Sequence, residues 1–562
     1  TNAADQRFRF NWNAPTVADP NNPQIIYHGA QQVLRSNNGG LSWSIISPDL
    51  TRDQKERQGP GGYPFTNEAA GGENYNTISY LACSKGEPGL IWAGTDDGRV
   101  HLTRNGGERW KEITPRNMPE GIVNSIEVSP HAQGTAYLVL LRYKFNDYTP
   151  YVYQTQNYGR SWERIDRELP QDNYARVVRE DPKVPGLLYA GTESGLFISL
   201  DAGQHWHRFQ LNLPVCPIND LCIQDGDLIA ATSGRAFWIL DNIHVLRAYG
   251  GQMTGLDLTL HHDDTYVRID PGKRGGEGTG TNPLPGLIID YFLPTALDSQ
   301  QLELEIRDQQ GEIVRSYTNQ VDDEYQEYDG GPVAPRVLPS SQGLHRFYWD
   351  LRRTPLPGVP EVFVYGDYRA GMVAPGDYYL TLRSPFDTAR SRIQIKPDPR
   401  LALPRTAYLE QEALLKNIEY QIRDIHQSVQ QMRNVQQQIM TLLGFLKKSE
   451  EYEELIHAGE TAVKRIEEWE KPLIQTQQQT YQDVINYENK LNSEFMDLKT
   501  RVDTHDPRVT MGARKRFSDL REAWDGYKVG MRDILSHEVA SFNQIFKEKN
   551  IPALIVPGAN AF

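Results

Sequence analysis

The chain runs to 562 residues and carries a formal net charge of -14 at pH 7. That length is too great for one core and predicts two to four domains. The acidity argues against a nucleic-acid partner, which needs a basic face, and no run of about 18 apolar residues is present, so no membrane span is expected. The three cysteines, Cys83, Cys216 and Cys222, are too few for a disulfide framework and read as small apolar side chains.

From the start of the chain, one eight-residue pattern returns four times: "SNNGGLSW", "TRNGGERW", "TQNYGRSW" and "SLDAGQHW". Ser or Thr comes first, Asn or Asp third, Gly fifth and Trp eighth. The four sets are Ser36, Asn38, Gly40 and Trp43; Thr103, Asn105, Gly107 and Trp110; Thr155, Asn157, Gly159 and Trp162; and Ser199, Asp201, Gly203 and Trp206. Strand signals lie on either side, as in "LIWAGT", "DDG", "RVHLTR", then the box, then "RWKEIT". Alternating apolar residues with Gly, Asp and Asn between them predict antiparallel hairpins. The Asx side chain is expected to accept hydrogen bonds from the turn backbone, and the Gly to take a positive φ. The Trp should fill the gap between neighbouring sheets. On this reading the box is a structural staple. Intervals of 67, 52 and 44 residues between the tryptophans fit propeller blades of about 40–50 residues with insertions. A fifth unit, "DLIAATSGRAFWILDN", has the hairpin without the box.

These boxes resemble the Asp-box, or BNR, repeats of sialidases, sortilin-type ectodomains and photosystem-assembly propellers. The ordered set "FRFNWNAP", "SWSIISPDLTRD", "WAGTDDGRV", "REDPKVPGLLYAGTESGL" and "GRAFWILDN" resembles large exported bacterial BNR-repeat proteins, described as glycosyl hydrolases or as sortilin-like. The resemblance implies an exported, periplasmic, outer-membrane-associated or extracellular protein. It also implies that further propeller precedes "FRFNWNAP", itself read as an outer strand without a box. Together with an opening at Thr1 that has no leader ahead of it, this gives the expectation of a processed or C-terminal portion.

Residues 1–246 are therefore expected to form about five propeller blades, and 247–285, with the Gly-rich "PGKRGGEGTGTNPLP", a linker. Residues 286–400 carry short strands such as "GLIIDYFL", "GLHRFYWDLR" and "GDYYLTLRS", which predict a β-sandwich resembling Ig-like folds. Beyond Pro404 the period changes. Ile418, Ile422, Ile425, Val429, Met432, Val435, Ile439, Leu442 and Leu446 form one apolar side of a long helix. Further helical stretches are predicted over about 450–502, with Pro472 starting or kinking a helix, and over about 507–549. The fold class is mainly β and multidomain: Asp-box propeller blades, an Ig-like sandwich, and an antiparallel helical bundle over 401–562.

Strand parity puts all boxes at one end of the blades and the long insertions at the other. Function grafted on a propeller is expected at those insertions. The candidate binding face comprises Asp96, Asp97, Arg142, Tyr143, Phe145, Tyr148, Glu193 and Arg235, with the insertion over 49–76. No catalytic, cofactor or metal residue is assigned. The "HHDD" at 261–264 would need four neighbours on opposite faces of a strand to converge. The expectation is a non-enzymatic binding or assembly protein whose face engages a protein or peptide. Its further partners would be the preceding remainder of its own propeller and an envelope complex. The alternatives are a sialidase-like, carbohydrate-active enzyme and a structural subunit of that complex.

Overall fold

In a computed structural model, residues 3–59, 62–64, 74–248, 257–269, 280, 284–297, 301–322, 325–446 and 450–551 are described. They fall into two units, Thr1–Gly255 and Leu256–Phe562.

The first unit is a succession of small antiparallel sheets, each strand paired with the next in sequence, in a propeller-like arrangement. The first blade comprises Thr16–Asp19, Asn22–Gly29, Val33–Ser36 and Ser44–Ile45. The second comprises Ile78–Cys83, Ile91–Thr95, Val100–Thr103 and Lys111–Glu112, and the third Ile122–Val128, Ala136–Leu141, Tyr151–Thr155 and Glu163–Arg164. The fourth comprises Ala175–Glu180, Leu188–Thr192, Leu196–Ser199 and His207–Arg208. The fifth has, among the described residues, three strands, Ile218–Gln224, Asp227–Thr232 and Phe237–Leu240. Middle strands such as Ile91–Thr95 and Leu188–Thr192 are buried along their whole length, because a neighbouring blade covers each side. Arg179, on the innermost strand of the fourth blade, ties inner strands together. Its guanidinium donates to Tyr80 Oη at 3.2 Å, Ser125 Oγ at 2.9 Å, the Leu221 carbonyl at 3.1 Å and Asp220 at 2.7 Å.

Each box joins the third and fourth strands. The leading Ser or Thr hydroxyl, not the Asx, accepts from the backbone two and four residues on. In the fourth blade Ser199 Oγ takes Asp201 N at 3.4 Å and Gly203 N at 2.8 Å. The Asx oxygen then closes the turn from four residues on, Asp201 Oδ1 accepting from His205 N at 2.9 Å. The same set recurs at Ser36, Thr103 and Thr155. The box glycines hold φ of +94°, +103°, +73° and +89°, as the turn chemistry predicts.

Several expectations need correction. "FRFNWNAP" forms no outer strand. Its Arg9 is buried instead, donating to Asp49 at 2.6 Å, Thr51 Oγ1 at 3.2 Å and the Asn76 carbonyl at 3.1 Å. The span read as a linker contains strands Thr259–His261 and Thr265–Arg268; most of its Gly-rich stretch, 270–279 and 281–283, lies outside the described residues. Each strand is too short to show an alternation.

In the second unit, Thr259–His261, Leu287–Leu293 and Gly343–Trp349 form one sheet. Thr265–Arg268, Thr388–Pro397, Gly376–Arg383, Glu303–Arg307 and Ile313–Thr318 form another, in that order. Ile289, Tyr291, Leu304, Ile306, Trp349, Leu380 and Ile393 make the shared core. Helix Arg405–Leu446 is 42 residues long, and its predicted apolar side is buried at Ile418, Ile422, Ile425, Val429 and Met432. Arg353 fastens the β region to this helix through Glu419 at 2.7 Å, while Gly371 N donates to the same carboxylate at 2.6 Å. Helix Glu453–Glu470 ends just before Pro472, which has no N–H to continue the helical ladder, so that proline follows a helix end rather than starting or kinking one. Helices Leu491–Val502, Met511–Ile534 and, after a π turn over Leu535–Val539, Ala540–Glu548 complete the unit. No helix among the described residues is long and apolar enough to cross a membrane.

Candidate functional site

The blade end opposite the boxes collects the connections between blades and the turns between second and third strands. On it runs a strip of aromatic rings interleaved with ion pairs. Tyr63 lies 5.1 Å from Tyr75 and 6.4 Å from Phe145, centroid to centroid, and the Arg57 guanidinium sits 4.2 Å over the Tyr63 ring. Glu120, in the next connection, accepts from Arg57 at 2.5 Å and from the Tyr75 hydroxyl. Burial, and then this carboxylate, raise the Tyr75 phenol well above its ordinary range, so it stays a donor.

The insertion of the third blade continues the strip. Its Tyr143–Phe145 turn closes at Asn146, a residue type that tolerates the left-handed φ of +55° found there. Arg142 donates from Nε to the Glu120 carbonyl at 2.8 Å and pairs with Asp147. Burial pushes the Asp147 carboxyl up, but hydrogen bonds from Thr149 and Tyr151 and the charge of Arg142 outweigh it and hold it below its usual value. Tyr143 stacks on Tyr174 at 5.6 Å and 19°, and Tyr148 lies 6.1 Å from the same ring. Arg176 then donates to Tyr174 Oη at 3.1 Å and to Glu193 at 2.8 Å. Burial, followed by the hydrogen bond to Glu193, pushes the Tyr174 phenol up to about 12. Tyr143 and Tyr148 are 38% and 47% exposed, so part of each side chain is accessible from solvent.

The structure places Arg142, Tyr143, Phe145, Tyr148 and Glu193 along this strip. Asp96 and Asp97 do not reach the surface. Asp96 accepts Thr77 N at 2.9 Å and Thr77 Oγ1 at 2.7 Å; Asp97 accepts Arg52 N at 2.8 Å and Asn76 Nδ2 at 2.6 Å. Full burial, and then the Asp97 charge, raise the Asp96 carboxyl well above the usual range. These two carboxylates fasten the long connection that carries Tyr75, because a short turn between buried strands leaves its side chains facing inward. Arg235 is exposed on the fifth blade, with a 3.4 Å bond to the neighbouring Gly234 carbonyl. Arg57, Tyr63, Tyr75, Glu120, Tyr174 and Arg176 were not singled out in the sequence. Arg57, Tyr63 and Tyr75 fall within the 49–76 insertion already assigned to this face, whereas Glu120, Tyr174 and Arg176 lie at shorter blade connections, to which the same strand parity applies. Residues 60–61 and 65–73 of the 49–76 insertion lie outside the described residues.

Comparison with known proteins gives no matching family model. Two curated relatives are an oligoxyloglucan-reducing end-specific xyloglucanase of Emericella nidulans, 27% identical over 106 residues, and a probable one of Neosartorya fischeri, 28% identical over 110. Each match covers 18% of this chain and 13% of the relative, so the chain spans only a small part of their length. Among solved structures, the GH74 xyloglucanase of Xanthomonas campestris is 17% identical, with a TM-score of 0.31 over 41% of this chain and 36% of that one. YCF48 bound to D1 peptide is 17% identical, with a TM-score of 0.27 over 41% and 63%. The propeller-like arrangement of the first unit rests on its own succession of antiparallel sheets. The expectation of a non-enzymatic protein- or peptide-binding face is corrected by the two curated relatives, which are named as a xyloglucanase and a probable xyloglucanase. The boxes that suggested the sortilin-like reading are turn fasteners, which say nothing of the ligand at the opposite end.

Proposed function

We propose that the chain is part of an exported, carbohydrate-active protein of the glycoside-hydrolase kind, built on Asp-box blades, and that the strip from Arg57 to Glu193 holds a neutral glycan. The observation that carries this reading is the line of tyrosine rings, part-exposed at Tyr143 and Tyr148, set among arginine–carboxylate pairs. The apolar face of a pyranose ring packs on such an aromatic surface, while its hydroxyls bond to the flanking polar groups. Arg57, Arg142 and Arg176 are each paired with a carboxylate, Glu120, Asp147 and Glu193. A sialidase-like site would keep such arginines for the substrate's own acid group, so the strip favours an uncharged sugar chain. The names of the curated relatives point to xyloglucan as the first substrate class to test. A polymeric substrate also favours a location outside the cytoplasm. The Ig-like sandwich and the helical bundle are proposed as accessory regions.

The 562-residue chain should be titrated calorimetrically with xyloglucan oligosaccharides and assayed for release of new reducing ends. Saturable binding weakened by Tyr143→Ala supports the reading. Neither binding nor hydrolysis across xyloglucan and other neutral β-glucans sinks it.

A further inference from the structure

One contact repeats between consecutive blades. The box Trp donates its indole N–H to the carbonyl of the isoleucine that directly follows the preceding blade's fourth strand: Trp110 to Ile46 at 2.8 Å, Trp162 to Ile113 at 2.7 Å and Trp206 to Ile165 at 2.6 Å. The box Gly lies against that isoleucine's side chain. A Cβ on Gly107, Gly159 or Gly203 would come within 2.9, 2.5 and 2.6 Å of Cδ1 of Ile46, Ile113 and Ile165 respectively. The first box has the same internal hydrogen bonds, yet a Cβ on Gly40 would meet only its own Trp43 ring, and Trp43 is 43% exposed. Its edge also differs in chemistry. Where the later boxes and fourth strands carry Glu108 and Glu112, Arg160 and Arg164, or Gln204 and Arg208, the first carries Leu41 and Ile45, 87% and 46% exposed.

We propose that the flank bearing Gly40 and Trp43 seats a further blade of the same box-bearing repeat, whose fourth strand is followed by an aliphatic residue. That residue's carbonyl accepts from Trp43 and its side chain covers Gly40. Among the described residues the fifth blade has three strands, and none of them is a fourth strand that could make this contact. A second copy offers the same flanks among the described residues, the first box and the three-stranded sheet with Phe237 and Ile239 76% and 57% exposed, and neither presents a fourth strand followed by an aliphatic residue not already in contact with a box.

The test extends the 562-residue chain at its start with a second copy of residues 78–174 and, separately, of residues 122–174, so that a fourth strand ending in isoleucine precedes the first blade. The indole N–H of Trp43, assigned by its loss in Trp43→Phe, is followed by hydrogen exchange. Exchange at least tenfold slower in either extension, and restored by Ile165→Asn in the added copy alone, is the expected result. Unchanged exchange in both extensions overturns the proposal. So does protection of Trp43 in the unextended chain that grows with concentration and accompanies dimer formation by sedimentation, since the occupant is then a second copy.

Discussion

The indole nitrogen of Trp206 reaches across a blade boundary to the carbonyl of Ile165, 2.6 Å away, and its ring is 5% exposed. Trp206→Ala removes both the bond and the packing, and should destabilise the first unit by about 3–5 kcal/mol. Trp206→Phe keeps most of the ring and leaves one carbonyl unmet, at about 1–3 kcal/mol. Trp43→Ala, in the same box position on the open flank, should cost less than about 1 kcal/mol. Urea unfolding of the three variants checks the order; equal losses for Trp206→Ala and Trp43→Ala would refute the role assigned to the contact.

Two glycines separate backbone strain from steric fit. Gly203 and Gly234 both hold positive φ, +89° and +78°, but only Gly203 faces a packed neighbour. Either change to Ala should cost about 1–2 kcal/mol for the left-handed backbone. Gly203→Ala should add roughly 1–3 kcal/mol for overpacking against Ile165. Thermal melts giving the same loss for both would show that the isoleucine yields freely.

His426 makes stability depend on pH. Its Nδ1–H donates to the Pro357 carbonyl at 2.8 Å, leaving Nε2 to accept from Asn492 Nδ2 at 3.3 Å. Burial, partly offset by the Pro357 bond, pushes its pKa down to about 4. An unfolded histidine titrates near 6.5, so between those values the unfolded chain binds the proton that the folded one refuses. The stabilisation is complete above about pH 6.5 and is lost as pH falls toward 4, by roughly 3 kcal/mol in all. The stability difference between the chain and His426→Gln, measured by urea titration at pH 7.5 and pH 4.5, should shift in that direction. A difference independent of pH would show that His426 does not titrate in this way.

On the strip, Tyr143→Ala removes an exposed ring and Tyr174→Ala the ring on which it stacks. Each should weaken glycan binding about tenfold, or about 1.4 kcal/mol, whereas Arg235→Ala should leave it unchanged. Calorimetry with the same oligosaccharide reads all three; an effect at Arg235 as large as at Tyr143 would displace the site from the strip.

The boxes were legible because their signals are local: a hydroxyl, a carboxamide or carboxylate, a glycine and an indole within eight residues. The helix Arg405–Leu446 was legible for a similar reason, a period that repeats through many turns. The strip was only half legible. Tyr143 and Tyr148 sit in one conspicuous insertion, but Tyr63, Tyr75 and Tyr174 reach them from connections distant in sequence, and no local pattern marks that convergence. Asp96 and Asp97 misled because a two-residue acidic turn looks solvated until Thr77, Asn76 and Arg52 are seen to meet it. The strand Thr265–Arg268 was missed because it pairs in parallel with Thr388–Pro397, more than a hundred residues on, and no hairpin announces it.

The 42-residue helix spans about 63 Å at the ordinary rise per residue, and it crosses two separate apolar clusters. Ile418 to Met432 belong to the large one with Trp469, Phe495 and Trp524; Ile439, Leu443 and Leu446 belong to a small one with Leu455, Ala462 and Phe542. One continuous rod therefore ends in a lightly held tip. Opening the tip exposes few side chains, so its backbone amides should exchange with solvent long before those at the root, and a protease should find the distal end first. The rod is a graded fastening, firm where it grips the β region through Glu419 and releasable at its far end.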